Sequence, residues 1–91
     1  MMNTLIVTYD LINPGKNYEL LLKRIKNYGA WARLGGSSYL IRTDQTVVQV
    51  RDNLVAVLDG NDSLFVGSAP PPSAWRGLSD EVAKWIHANQ T

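Results

Sequence analysis

The sequence predicts a single α+β domain in which two helices alternate with four strands in the order βαββαβ. Residues 3–9 (NTLIVTY) are nearly continuously apolar and rich in β-branched side chains, as in a central strand buried on both faces. Two later segments repeat apolar residues at helical spacing, and a Gly-Gly pair separates two strand-like runs. The 91 residues fit one domain and leave no room for a second.

The first strand is followed by a turn and a helix. Asn13-Pro14-Gly15 is a turn signal, and residues 18–28 then show the spacing of an amphipathic helix. Gly29 is a typical C-terminal stop for that helix. The apolar positions of the stripe are Leu21, Leu22, Ile25 and Tyr28.

The middle of the chain predicts a hairpin, a second helix and a fourth strand. Residues 30–34 and 37–43 flank Gly35-Gly36, a pair that tolerates positive φ and favours a tight hairpin. Residues 46–58 form the second helix and residues 63–68 the last strand. The apolar stripe of the second helix consists of Val47, Val50, Leu54 and Leu58.

This order is the split βαβ pattern of ferredoxin-like folds. Right-handed crossovers then place both helices on one face of an antiparallel four-stranded sheet. The other face must be covered, and we expect a second copy of the chain to cover it. A short chain also has a thin stability margin, which dimerisation would increase.

The C-terminal part is predicted to leave this domain, which spans residues 1–68. Residues 69–73 (APPPS) form a proline-rich linker, because consecutive prolines favour an extended conformation. Residues 74–91 form a C-terminal extension with a short helix, for which Ser79 is the expected N-cap. Such a short helix needs a docking surface, either on its own domain or on a partner subunit.

Composition restricts the classes of function. The net charge is +1, whereas strong duplex binders carry a clear basic excess, so nucleic acid would be bound through a local patch or by a dimer. The absence of cysteine excludes disulfides and thiolate metal sites. The apolar run at residues 5–7 is too short for a signal peptide or membrane span, which predicts a cytoplasmic protein.

Four segments carry a pattern in a defined order. Thr8-Tyr9-Asp10 ends the first strand, Asn27-Tyr28-Gly29 ends the first helix, residues 37–41 are a serine-rich strand, and residues 58–66 join the second helix to the last strand. Together, over about residues 3–68, they resemble the CRISPR-associated Cas-two family and its stand-alone relatives. Some stand-alone relatives carry a C-terminal helical extension like residues 74–89.

The resemblance implies a homodimer joined through the sheets. It also implies that Asp10 of both subunits lies near the dimer axis, where the two carboxylates share a divalent metal such as Mg²⁺. Some members of the family are metal-dependent nucleases, acting on RNA or DNA, and others are dimeric scaffolds that hold DNA. The implied activity is therefore phosphodiester hydrolysis by an endonuclease with Asp10 as catalytic residue and metal ligand.

The sequence also departs from the family pattern. The segment after Tyr28-Gly29 is longer and holds Gly35-Gly36, it lacks the usual Gln and Phe-Glu run, and Phe65 stands where many members have a basic residue. These departures keep two alternatives open: a non-catalytic dimeric scaffold or interaction module, and a nucleotide-binding protein.

Two candidate sites have ordinary structural alternatives. Asp10 offers the hard oxygen ligands that Mg²⁺ prefers, but an Asp at this position can also end a strand and bond a loop amide. Gly35, Gly36, Ser37 and Ser38 could cradle a ligand phosphate with backbone N–H groups, but the same residues suit a plain hairpin turn.

A basic cluster with aromatic residues is the candidate nucleic-acid-binding surface. Trp31 and Tyr39 could stack bases among these cations. The alternative is a solvated helix face with aromatic residues in the core. His87 is expected on the surface, and Trp75 and Trp85 are expected to anchor the last helix. The predicted cations are Lys16, Lys23, Arg24, Lys26, Arg33 and Arg42.

Overall fold

A computed structural model describes residues 2–12 and 15–90, apart from the side chain of Lys16. The elements in chain order are β1 (Asn3–Asp10), α1 (Gly15–Lys26), β2 (Ala30–Gly35), β3 (Ser38–Thr43), α2 (Val47–Val55), β4 (Ser63–Ser68) and α3 (Asp80–Asn89). Asn13 and Pro14 of the predicted turn lie outside the described residues. Gly15, which was assigned to the turn, is the first residue of α1, so this helix begins three residues earlier than predicted.

The four strands form one antiparallel sheet in the order β2-β3-β1-β4. Val7 in the central strand β1 lies opposite Tyr39 of β3 on one side and Val66 of β4 on the other. This confirms the predicted ferredoxin-like α+β class with a short C-terminal helix.

The second helix begins as predicted and ends earlier. Thr46 caps α2 with a capping box, in which its side chain accepts from the Gln49 amide and the Gln49 side chain accepts from the Thr46 amide. Beyond Val55, the amides of Val57 and Leu58 donate to carbonyls three residues back. Residues 56–58 are therefore a tightened turn and not the last helical turn.

One face of the sheet carries the main core. Alternation along β1 points its odd-numbered side chains towards α1 and α2, which pack on this face. Because this cluster joins both helices to the central strands, it holds the whole domain together. Its fully buried members are Leu5, Val7, Leu21, Ile25, Ile41, Val50 and Leu54.

The C-terminal part of the chain covers much of the second face. Residues 69–78, here called the crossing segment, pass over this face, and α3 packs beside them with Ile86 buried. Ile86 lies near Leu40 of β3 and Ile6 of β1. The last helix therefore docks on its own domain and occupies a surface that the sequence analysis assigned to a second copy.

Polar contacts fix both ends of α3. Ser79 is its N-cap, as predicted, and accepts from the Val82 amide at 3.2 Å. At the other end, the Asn89 carbonyl accepts from the hydroxyl of Thr4 and from the guanidinium of Arg42. Gln90 then donates to the Ala69 carbonyl at 2.7 Å, which ties the helix to the crossing segment. Among the residues described, no helix has the length and apolarity to cross a membrane.

Candidate functional site

Asp10 lies at an open corner of the second sheet face. It ends β1 opposite Ser63 of β4, and alternation puts its side chain on the same face as Thr8. Its side chain is exposed, as are those of Ile12 (58%) and Phe65 (61%). We call this region the Asp10 corner, defined by Thr8, Asp10, Ile12, Ser63 and Phe65.

The Phe65 ring lies over Gly67 of its own strand. A Cβ on Gly67 would come within 2.8 Å of this ring, which is exposed and could rotate away. The ring therefore covers Gly67 and presents an apolar surface beside Thr8, its cross-strand neighbour.

The carboxylate of Asp62, in the loop before β4, already accepts two hydrogen bonds. Asp62 accepts from the Ile12 amide and from the Asp59 amide, each at 2.9 Å, and so holds two loops together. Across residues 2–12 and 15–90, no group of three or more His, Cys, Asp or Glu residues is placed to hold a metal. The Asp10 corner, as defined above, contributes the carboxylate of Asp10.

Tyr9 does not assist Asp10. Its side chain points to the helical face, where it is buried and meets the ring of Tyr18 edge-on at 6.2 Å. Burial, together with the neighbouring Tyr18, raises the pKa of the Tyr9 hydroxyl, which has no hydrogen-bond partner among the described residues. The hydroxyl therefore remains protonated over the physiological range.

The Gly35 to Ser38 segment forms the β2–β3 hairpin, which is the ordinary alternative. Neither glycine has a positive φ, so the expected reason for the Gly-Gly pair is wrong. The Ser37 carbonyl accepts from the Tyr9 amide at 3.1 Å, and the Ser38 hydroxyl donates to Thr8 at 3.2 Å. These contacts extend the β1–β3 ladder.

Two of the predicted cations stabilise the fold. Arg24 donates to the backbone and side-chain oxygens of Asn53 at 2.9 and 2.8 Å and links α1 to α2. Arg42 donates to Thr4 and to the Asn89 carbonyl and holds the end of α3. Lys23 is exposed on α1, and the side chain of Lys16 lies outside the described residues.

Three other predicted residues lie together at the outer edge of the sheet. The ammonium of Lys26 is 4.8 Å from the centroid of the Trp31 ring, a cation–π contact. Trp31 and Arg33 then line a groove of about 300 Å³ along β2. Its opposite wall comes from α3. We call this the β2–α3 groove, lined by Trp31, Ala32, Arg33, Glu81, Val82 and Trp85.

The β2 wall of the groove is firmly held. The Trp31 ring packs against the ring of Tyr39 in the core, with 6.0 Å between the ring centroids. The Nε of the exposed Arg33 donates to the Gly35 carbonyl at 3.1 Å. Burial raises the pKa of Tyr39, and the positive charge of Arg33 opposes that rise. Trp31 and Arg33 pair with Ile41 and Tyr39, so their side chains lie on the helical face, whereas α3 lies on the other face. The groove therefore runs along the edge of the sheet between the two faces.

The contribution of α3 to this groove was not predicted from the sequence. Glu81, Val82 and Trp85 are spaced so that they share one helix face, but that spacing does not say which strand the face meets. Trp75, in contrast, contacts His87 of α3 edge-on, with 5.5 Å between the two ring centroids. His87 is exposed, as expected.

A second cavity lies between the sheet and the crossing segment. It has a volume of about 350 Å³, and its walls are mainly apolar, with Ile6, Leu40, Trp75 and Ile86 among them. The packing on this face is thus looser than on the helical face.

Comparisons with known proteins support the fold. No family model matches the sequence, and no curated protein matches it. Among solved structures, the chain is similar to the hypothetical protein TT1823 from Thermus thermophilus, with a TM-score of 0.71 and 21% identity over 86% of this chain and 94% of that one. The likeness shows a shared small α+β fold.

Proposed function

We propose that the protein is a Cas-two-like homodimer that associates with nucleic acid and hydrolyses phosphodiester bonds at a metal held by the two copies of Asp10. One observation carries the proposal. The carboxylate of Asp10 is exposed at the end of the central strand, beside the exposed apolar side chains of Ile12 and Phe65. An ionisable group within an apolar surface patch is typical of an interaction site.

The position of α3 limits where a second copy would join. Because α3 and the crossing segment cover other parts of the second face, contact between copies would centre on the Asp10 corner and the outer edge of β4. A two-fold axis close to Asp10 would bring the same residue from each copy to one point.

The ligand chemistry also favours a dimer. Mg²⁺ is commonly held by one or two carboxylates and several waters, and one chain supplies Asp10 at this corner. Two copies would supply two carboxylates. A metal bound there would activate water and stabilise the charge that develops on the phosphate.

Cleavage of single-stranded RNA and duplex DNA with Mg²⁺ or Mn²⁺ tests the proposal. Asp10→Asn should abolish cleavage, because the neutral amide is a poor metal ligand. The matched control is Asp44→Asn, which changes an exposed carboxylate beyond the opposite end of the sheet and should leave cleavage intact. Equal activity in the two variants would remove Asp10 from the mechanism.

Sedimentation tests the dimer separately. Phe65→Glu should shift the protein towards monomer, because it places a charge in the proposed contact. Met2→Glu makes the same kind of change at an exposed apolar residue before β1, at the opposite end of that strand from Asp10, and should leave the dimer unchanged. A wild-type protein that sediments as a monomer at all concentrations would contradict the proposal.

A second candidate function is a non-catalytic nucleic-acid-binding module. It is favoured by the outer strand β2, where Lys26 of α1 lies over the Trp31 ring and the exposed Arg33 follows two residues further along. Binding without turnover at any divalent metal would favour this candidate over the nuclease.

A further inference from the structure

We propose that the outer edge of β2 binds an extended peptide of a partner protein as a fifth strand, with acidic side chains beside Arg33 and Lys26 and apolar side chains against α3. The inference goes beyond hydrolysis and nucleic-acid association, and it does not depend on Asp10. It assigns the recognition to the backbone of β2, supported by side chains on either side of the strand.

The hydrogen-bonding pattern shows which backbone groups of β2 face outwards. The Ser37 carbonyl accepts a hydrogen bond from β1, so the backbone groups of every second residue from Ser37 onwards face β1. Those of the residues between them face β2, where Leu40 pairs with Ala32. Because β2 is the last strand on this side of the sheet, the N–H and C=O groups of Trp31 and Arg33 point out of its edge.

The β2–α3 groove gives access to this edge. Ala32 is buried on the second face, where α3 packs, so the helix covers the face of β2 and not its outer edge. The groove, of about 300 Å³, runs beside the outward groups of Trp31 and Arg33. Another extended backbone offers donors and acceptors at the same spacing, which is how peptides add a strand to an exposed sheet edge.

The two sides of the edge differ in chemistry, which fixes the pattern of the peptide. Every strand pair in this sheet is antiparallel, and opposed residues of an antiparallel pair share a face. Peptide residues opposite Trp31 and Arg33 would therefore lie on the helical face. There the guanidinium of Arg33 is exposed, and the ammonium of Lys26 lies 4.8 Å from the centroid of the Trp31 ring. Acidic side chains suit these positions.

The intervening peptide residues would lie on the side of α3. Val82 and Trp85 line the groove there and are half-buried, so apolar side chains suit this side. Glu81, on the same helix, would repel an acidic side chain. The edge therefore selects a strand in which acidic and apolar residues alternate.

Charge favours a different protein over a second copy of this chain. Two β2 edges paired about a two-fold axis would bring two copies of Arg33 and two copies of Lys26 together, and like charges on neighbouring strands are destabilising. The contact between copies proposed above uses β4, at the opposite edge of the sheet.

Anisotropy of a labelled peptide of about eight residues that alternates valine with glutamate tests the inference. A peptide with lysine in place of every glutamate is the matched control and should bind about tenfold more weakly. Arg33→Glu should weaken binding of the glutamate peptide about threefold and strengthen binding of the lysine peptide. Arg51→Glu makes the same charge change at an exposed site on α2, where Arg51 pairs with Asp52, and should change neither affinity.

N-methylation of the peptide tests the backbone pairing independently of charge. In the proposed register the glutamate amides point towards β2 and the valine amides point away from it. Methyl groups on the glutamate amides should abolish binding, because they remove the donors and block the approach of the two strands. Methyl groups on the valine amides leave the pairing edge intact, and binding should be retained.

Several results would overturn the inference. They are equal losses from the two methylated peptides, equal effects of Arg33→Glu and Arg51→Glu, and no binding of the glutamate peptide at about 1 mM. Self-association of the protein that the peptide inhibits would assign the edge to a second copy. Displacement of the peptide by oligothymidine, with oligothymidine binding lost in Arg33→Glu, would assign the edge to nucleic acid.

Discussion

The two faces of the sheet are covered in different ways. On the helical face, α1 and α2 bury a continuous apolar cluster in which Leu5, Val7 and Ile41 are almost fully excluded from solvent. On the second face, α3 and the crossing segment leave a cavity of about 350 Å³, rely on one buried aliphatic anchor, Ile86, and make several polar contacts.

This difference separates stability from function. The helical face holds the fold, because its contacts join elements from most of the chain. The two candidate sites lie outside this core: the Asp10 corner at one end of the second face, and the β2–α3 groove along the outer edge of the sheet. Looser packing there permits motion of α3, since regions with few buried apolar contacts open more easily.

The largest expected effect is on the helical face. Leu54→Ala should lower the free energy of unfolding by about 3–5 kcal/mol, because a fully buried leucine leaves a cavity in a packed cluster. Urea denaturation measures the loss. Val48→Ala on the exposed side of the same helix should change the free energy by less than about 0.5 kcal/mol. Similar losses in both variants would contradict the assignment of the core.

A smaller and local effect is expected on the second face. Ile86→Ala should lower the free energy of unfolding by about 2 kcal/mol, which is at the lower end of the range for isoleucine-to-alanine substitutions in a core. The loss is small because Ile86 already borders a cavity. Hydrogen exchange should accelerate in α3 and remain slow in β1. Lys84→Ala, at an exposed position of α3, should leave the exchange of this helix nearly unchanged. Equal acceleration of β1 would show that the two faces unfold together.

The smallest effect concerns Tyr9 and has the opposite sign. Tyr9→Phe should raise the free energy of unfolding by up to about 1 kcal/mol, because it removes a buried hydroxyl without a partner in the described part of the chain. Tyr28→Phe is the matched control. The Tyr28 hydroxyl donates to Gln45 at 3.0 Å and accepts from Asn53 at 2.9 Å, so its loss should destabilise the protein.

Tyr9 should also make the stability of the fold depend on pH. Burial raises the pKa of Tyr9 in the folded protein, whereas in the unfolded chain the pKa of tyrosine is about 10. The folded state therefore holds its proton longer, and stability is present below about pH 10 and is lost as the pH rises further. In thermal melts between about pH 8 and 11, the melting temperature should fall less with pH in Tyr9→Phe than in the wild type. An identical fall in both proteins would contradict the prediction.

Local patterns were enough to predict the fold. Alternation and helical spacing placed the elements of the βαββαβ order, and Ser79 was recognised as a cap, because these signals depend on neighbours within a few residues. The end of α2 was placed three residues too late, since the apolar stripe continues through a turn whose hydrogen bonds have already shortened.

Only the tertiary structure decided which surfaces meet. An amphipathic stripe indicates that one face of a helix must be buried. Which surface buries it depends on packing between residues that are distant in the chain. For this reason Arg24 and Arg42, which looked like nucleic-acid contacts in the sequence, satisfy carbonyls of remote segments, whereas Trp85 from the last helix reaches the groove beside Trp31.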